Sequence, residues 1–195
     1  DNEVRHDLPG NFNTLHTIGQ LWRSGRADEA DAMLDHLGAL FQKVRASTDQ
    51  VFIPLEEELE MVEEYLAIER ARFPHRLLPE VAADARARRC GVPPLLLQPL
   101  VENAIRHGIS LRPQAGRVSV SGRVEGERLI LDVVDDGPGP AGPSPRSGSG
   151  AGLANVRERL EHAFGVEQSL TLEAASGGVG TRVRVVLPAF TEMDR

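Results

Sequence analysis

An apolar run that turns polar near its end, LLLQPLVENAIRHGI at residues 95–109, limits this chain more than any other segment. Its spacing predicts a helix. Asn103 and His107 are four apart and share one helix face, with Glu102 beside them and Arg106 adding a cation. An acid, an amide and a histidine at one end of an apolar helix fit a metal–phosphate site. Asn supplies an oxygen ligand for Mg²⁺, an ion that keeps several waters and takes oxygens from nucleotide phosphates. Taken alone, the segment also reads as a helix end with ordinary polar residues. Val92-Pro93-Pro94 sets the expected helix start, because proline suits a first helical turn.

Three glycine clusters follow. Val133-Val134-Asp135-Asp136-Gly137-Pro138-Gly139 ends a strand-like run in acids and glycines. Gly150-Ala151-Gly152-Leu153 leads into a helix expected to begin near Leu153, where Gly150 and Gly152 let backbone N–H groups approach a phosphate. Gly177-Gly178-Val179-Gly180-Thr181 precedes a last strand. Each has a plain alternative: Asp135-Asp136-Gly137 is also a common turn, and a lone GxG is weak evidence. Residues 137–152 hold six Gly, four Pro and three Ser. Such a composition buries too little apolar area to order itself. It is either a passive linker or a lid, for which low local stability is suited.

Two apolar-periodic helices are expected first, over 11–25 and 27–46. Phe12, Leu15, Ile18 and Leu21/Trp22 mark the first; Ala30, Met33, Leu34, Leu37, Leu40, Phe41 and Val44 mark the second. The short Ser24-Gly25-Arg26 connection makes them an antiparallel hairpin. A hairpin this small buries little, so it either dimerises into a four-helix bundle or packs against the rest of its own chain. A third helix is expected from Ile53 to about Phe73, with Glu56, Glu57, Glu58 and Glu60 where the helix dipole favours negative charge. A strand and a loop follow over 76–91. Residues 117–124 and 128–134 form a hairpin around Glu125-Gly126-Glu127, and 169–174 and 181–187 are closing strands. The fold class is α+β: a helical hairpin, then an α/β sandwich whose mixed sheet is mainly antiparallel.

The single cysteine, Cys90, excludes an internal disulfide and a cysteine-based zinc site. No apolar run reaches the roughly 18 residues that a membrane span needs, and no signal-peptide pattern is present. The polar opening DNEVRHDL reads as a cut inside a larger protein. The net charge of -7, without a basic cluster, argues against nucleic-acid binding. Lys43 is the only lysine and no GxxxxGK[ST] sequence occurs, so a lysine-centred phosphate loop is not expected.

Together the motifs resemble the ATP-binding domain of the GHKL superfamily (gyrase, Hsp90, histidine kinases, MutL), and within it sensor histidine kinases of the LytS type. The LytS pattern runs LQPLVENAxxHG, DNGxG, GxGLxNVRxRL, GT, and all four elements occur here in order. PLEEELEMVEEYLAIERARF is similar to the LytS linker helix, PLxEELxxxxxYLxIxxxRF. The likeness covers roughly residues 11–188. It implies ATP and Mg²⁺ as cofactors, with Asn103 on the metal. Asp135 would take the adenine amino group, with Gly137 and Gly139 close to the base and Thr181 facing its pocket. Gly150, Gly152 and Leu153 would meet the phosphates below an ATP lid. Arg106 and His107 lie near the phosphates, and Glu102 polarises the site; the matching acid in GHL ATPases activates water. Asp136 departs from the commoner Asn. The likeness also implies residues 1–73 as dimerisation and phosphotransfer helices, 74–190 as the catalytic domain, a response-regulator receiver domain as partner, a homodimer, and a cytoplasmic place within a membrane-anchored sensor.

The phosphoacceptor is the open question. The LytS box, PHFLFNxLxxI, matches FNTLHTI here, but Pro9 or Gly10 stands where its His belongs. His16 matches a different position. His6-Asp7 with Gly10 and Asn11 resembles the HDxxGQ acceptor motif of NarL-partner kinases. There a neutral imidazole nitrogen is the nucleophile and the neighbouring carboxylate orients it. If His6 is only a terminal residue, the chain is a degenerate kinase that binds ATP without phosphorylating itself. A GHL ATPase is a third possibility, disfavoured by the short chain.

Overall fold

The computed structural model describes residues 11–110, 114–139, 149–175 and 178–191. It begins with helices α1 (Asn11–Arg23) and α2 (Ala27–Ser47). Gly25 ends α1 at a φ of +77, which glycine adopts without steric cost. Arg26 N–H then reaches back to Leu21 O (3.0 Å) and Gly25 N–H to Trp22 O (3.2 Å), the paired bonds of a Schellman stop. Strand β1 (Ile53–Pro54) leads into α3 (Leu55–Arg72), followed by β2 (Leu77–Ala83), the short α4 (Ala85–Arg88) and β3 (Gly91–Val92). Helix α5 (Gln98–Ala104) continues as a π-helical turn, Ile105–Ile109. Strands β4 (Gly116–Glu125) and β5 (Arg128–Asp135), helix α6 (Ser149–Phe164), and strands β6 (Ser169–Ala174) and β7 (Thr181–Pro188) complete the chain.

The main sheet has the order β2-β4-β5-β7-β6, parallel only between β2 and β4. Val120, Val133 and Val183 stand in one cross-strand row, and Gly122, Leu131 and Val185 in the next. These rows face the core, which α3, α5 and α6 complete with Leu59, Val62, Leu66, Leu97, Leu100, Val101, Val156 and Leu160. The other face is mainly polar, with Ile130, Val134 and Val186 between its charged and hydroxyl side chains. There Asp132 takes Arg184 at 2.8 and 3.0 Å and Arg123 at 3.0 Å. β1 and β3 pair separately, Ile53 with Val92. The α+β sandwich read from the sequence is the observed architecture.

The apolar stripe expected along α2 divides. Ala30, Met33, Leu37 and Leu40 are buried, and α2 packs on both α1 and α3. His36 pairs with Glu64 of α3 (2.7 Å), and Lys43 with Glu60. Leu34 and Phe41 of α2, with Leu15 and Trp22 of α1, remain between 43% and 58% exposed. The hairpin therefore uses one face on its own chain and leaves another apolar face open. Among the described residues no helix is long and apolar enough to cross a membrane.

Three helix starts differ from expectation. Ile53 and Pro54 pair as β1, so α3 begins at Leu55. The motif helix begins at Gln98, not at Pro93-Pro94, and the proline in its first turn is Pro99. Leu95 stands between at a φ of +56, which no α-helix accommodates. Helix α6 begins at Ser149 rather than near Leu153, so Gly150 and Gly152 lie inside its first turn.

Candidate active site

The site forms where the end of α5 meets the end of β5. Helix α5 widens at Ile105–Ile109: Ser110 N–H bonds the carbonyl of Ile105, five residues back, at 3.0 Å. Single π turns of this kind are frequent at functional sites. Asn103 lies in the α-helical part and His107 in the π turn, so the expected four-residue stacking is loosened between them. Glu102, Asn103, Arg106 and His107 are all half-buried.

The π turn brings Gly108 against Asp135. A Cβ on Gly108 would lie 2.8 Å from Asp135 Cβ and 3.0 Å from Oδ1. A Cβ on Gly137 would come within 2.6 Å of both Asp135 Oδ1 and Gly108 Cα. Asp135 is buried, closes β5, and pairs with Thr181 across the ladder. Its Oδ1 accepts the Gly137 N–H at 2.8 Å. Gly180 approaches so closely that a Cβ there would overlap the Asp135 carbonyl oxygen at 1.9 Å. Gly139, at a φ of +83, lies against Gly180. Three segments distant in sequence (His107–Gly108, Asp135–Gly139 and Gly180–Thr181) thus converge on one carboxylate.

Burial pushes the Asp135 carboxyl up; bonds from Gly137 N–H and from the backbone and hydroxyl of Thr181 oppose this, and Asp136 adds to it. Burial and the Arg106 charge lower the His107 pKa, against the pull of Asp135. The His107 Nε2 is buried and has no hydrogen-bond partner among the described residues. Burial raises Glu102, offset by the Gln98 amide, which donates to its Oε1 at 3.1 Å, and by Arg106. Beneath it on α3, Tyr65 is pushed well up by burial and by Glu69 and Glu102. Burial also raises Glu69, against the pull of Arg72.

Of the residues singled out from sequence, Asp135, Gly137, Gly139, His107 and Thr181 come together, with Glu102, Asn103 and Arg106 on the helix that leads in. Gly150, Gly152 and Leu153 begin α6, which packs on α5. His6 and Asp7, and residues 140–148 of the expected lid, lie outside the described residues. His16 is exposed on α1, and its Nε2 bonds the Gln20 side chain at 3.0 Å. Sequence reasoning assigned nothing to Gly108 or Gln98. Gly108 was visible as the glycine closing the LQPLVENAxxHG element, but its contact is with a strand 27 residues away in sequence.

A sheet backed by helices, with a buried aspartate at a strand end among glycines, places the chain in the class of α/β sandwiches with an enclosed carboxylate at one end of the sheet. It belongs to the histidine kinase-, DNA gyrase B- and HSP90-like ATPase family, whose model matches residues 94–191; the histidine kinase family model matches 11–77. Sensor histidine kinase BtsS of Escherichia coli (strain K12) is 35% identical over 177 residues, covering 91% of this chain and 31% of that protein. Sensor protein LytS of Staphylococcus haemolyticus is 31% identical over 190 residues, covering 92% of this chain and 32% of that protein. The chain thus spans about one third of the length of these curated relatives. Among solved structures, the histidine kinase domain of the Erythrobacter litoralis blue-light activated kinase gives a TM-score of 0.54 at 24% identity, over 87% of this chain and 81% of that one. The Acinetobacter baumannii histidine kinase AdeS gives 0.52 at 18% identity, over 94% and 98%. At these identities the structural likeness carries the fold alone.

Proposed function

We propose that the chain is the core of a two-component sensor histidine kinase: it moves the γ-phosphoryl of Mg·ATP to a histidine and then to an aspartate of a response-regulator receiver domain. The observation that carries this reading is Asp135, a buried carboxylate closed in by the backbone of Gly108, Gly137 and Gly180. It accepts the amino group of adenine, while Gly137, Gly139 and Thr181 border the base. The buried, unpartnered Nε2 of His107 fits a nucleotide oxygen, and Arg106 beside it supplies positive charge. Asn103 contributes an oxygen to Mg²⁺, which neutralises phosphate charge when bound. Gly150 presents a free first-turn N–H of α6 to the phosphates, and Gly152 and Leu153 line the same helix start. Glu102 polarises the site.

His6 is the acceptor in this reading. Its ring nitrogen forms a bond to the γ-phosphorus as the bond to the bridging oxygen breaks and ADP leaves, and Asp7 holds the other ring nitrogen's proton. Residues 1–73 serve dimerisation and phosphotransfer, and 74–190 catalysis. The open apolar face of Leu15, Trp22, Leu34 and Phe41 supports a homodimer through α1 and α2. The chain acts on the cytoplasmic side of a larger, membrane-anchored sensor. Calorimetric titration with ADP tests the site. Asp135→Asn weakens binding roughly tenfold or more, the worth of a hydrogen bond to a charged group; unchanged binding in that variant contradicts the assignment.

A second reading has its own support. The LytS-type acceptor box has Pro9 or Gly10 where its histidine belongs. A chain that binds ATP without phosphorylating itself, acting as a regulatory module, fits that substitution. Phosphate appearing on the protein separates the two.

A further inference from the structure

The turn ahead of α5 is held from two sides. Glu58, buried on α3, accepts the N–H of Leu95 with one carboxylate oxygen and the N–H of Leu97 with the other, the latter at 2.9 Å. Arg159 on α6 donates through Nη1 to the carbonyls of Pro94 (2.7 Å) and Leu95 (3.0 Å). Leu95 therefore has its N–H tied to one helix and its C=O tied to another. It is also the residue at a φ of +56, a conformation that a branched, bulky side chain resists. Such a conformation persists only where its surroundings over-determine it. A carboxyl group on one helix and a guanidinium on another do so here. Arg159 also lies close enough to Glu58 to favour its ionised form.

The location gives these contacts a consequence. Three residues beyond Leu95, α5 begins, and it carries Glu102 and Asn103 before the π turn that touches Asp135. Helix α3 continues the helical hairpin's packing, and α6 is the helix that opens at Gly150 and Gly152. Beside the turn is a cavity of about 420 Å³, walled by Val44 and Thr48 at the end of α2, by Val51 and Pro93, and by Arg159 and His162. The turn is thus the place where the helical hairpin, the motif helix and the phosphate-end helix meet.

We propose that Glu58 and Arg159 are positioning residues that clamp Leu95 in its left-handed conformation and so set where α5 holds Asn103 for the metal-bound nucleotide. The proposal rests on the ATP-site reading above, and two readouts keep their failures apart. In the full chain, amide hydrogen exchange is followed in Arg159→Gln and Glu58→Gln, and ADP is titrated with and without Mg²⁺. Exchange is expected to rise at residues 95–101 while β5 and β7 keep their protection. The Mg²⁺-dependent gain in ADP affinity falls about tenfold, the worth of a lost charge-assisted hydrogen bond, and Mg²⁺-free affinity falls less. Leu95→Gly in the Arg159→Gln background restores the gain, because glycine adopts that φ without a clamp.

Unchanged exchange and unchanged Mg²⁺ gain in both variants overturn the proposal. So does an equal loss of protection in β5 and β7, which makes the contacts plain fold stabilisation. Failure of Leu95→Gly to rescue overturns the role of the strained residue. Wild-type protein that binds no nucleotide, with exchange still rising only at 95–101 in the variants, leaves the clamp standing and removes the ATP-site reading.

Discussion

Gly108→Ala tests how tightly the π turn and the aspartate depend on one another. The added methyl would sit 2.8 Å from Asp135 Cβ and 3.0 Å from Oδ1. Carbon atoms need about 3.5–4 Å, so roughly 1 Å must open between the turn and β5. Both sides are constrained. Asp135 lies in a ladder against Val118 and Thr181. The turn is fixed by the Ser110 to Ile105 bond and by Arg76, which donates to Ile109 O at 3.1 Å. Overpacking of this size costs about 1–3 kcal/mol, against which the better helix propensity of alanine returns roughly 0.5–1 kcal/mol. The larger effect falls on binding. A carboxylate displaced by about 1 Å loses its 2.8 Å bond from Gly137 N–H and its aim at the base, a loss of about 1.5–3 kcal/mol, or 10- to 150-fold in ADP affinity. Denaturant unfolding and calorimetric ADP titration read the two effects. A variant as stable as wild type with unchanged affinity would refute the steric reasoning. A destabilised variant with unchanged affinity would show that Asp135 does not hold the nucleotide.

Two other outcomes follow from the packing. Burial pushes Glu58 from the ordinary 4.5 up to about 7, against the N–H bonds of Leu97 and Leu95. The unfolded chain therefore ionises first: the fold has its full stability from this group below pH 4.5, loses about 3 kcal/mol as pH rises to 7, and is level above that. Subtracting the pH profile of Glu58→Gln from that of wild type isolates this slope, and parallel profiles would contradict it. Charges on the open hairpin face, Trp22→Asp with Phe41→Asp, should shift a dimer to monomer in light scattering, weakening association at least about 100-fold while the fold is kept. A dimer of undiminished strength would place the interface elsewhere.

Much of the fold is legible because local signals and tertiary structure agree. The β4–β5 hairpin shows alternating valines and leucines on both sides of Gly126, and the register keeps them on the core face. Gly25 stops α1 because its left-handed φ is the one the Schellman bonds need. The misread places are those where a distant partner overrides a local rule. Proline chemistry pointed to a helix start at Pro93-Pro94, but Glu58, 37 residues earlier, takes the Leu95 N–H and delays the helix to Gln98. The π turn has no signature in the LVENAIRHGI periodicity, since it answers to Gly108 packing on Asp135. The α2 stripe looked like one surface because periodicity cannot tell a face covered by α3 from a face left open. The site itself was readable as motifs, but its convergence on Asp135 required the closeness of glycine backbones that composition alone does not reveal.

The most direct test of the kinase reading is acid-labile, base-stable labelling of the protein by γ-labelled ATP with Mg²⁺, beside His6→Gln. Labelling of the wild type that is lost in His6→Gln is the expected result, and it identifies both the activity and the acceptor. Nucleotide binding with no label on either protein would contradict phosphoryl transfer by this chain and leave the ATP-binding regulatory module in its place.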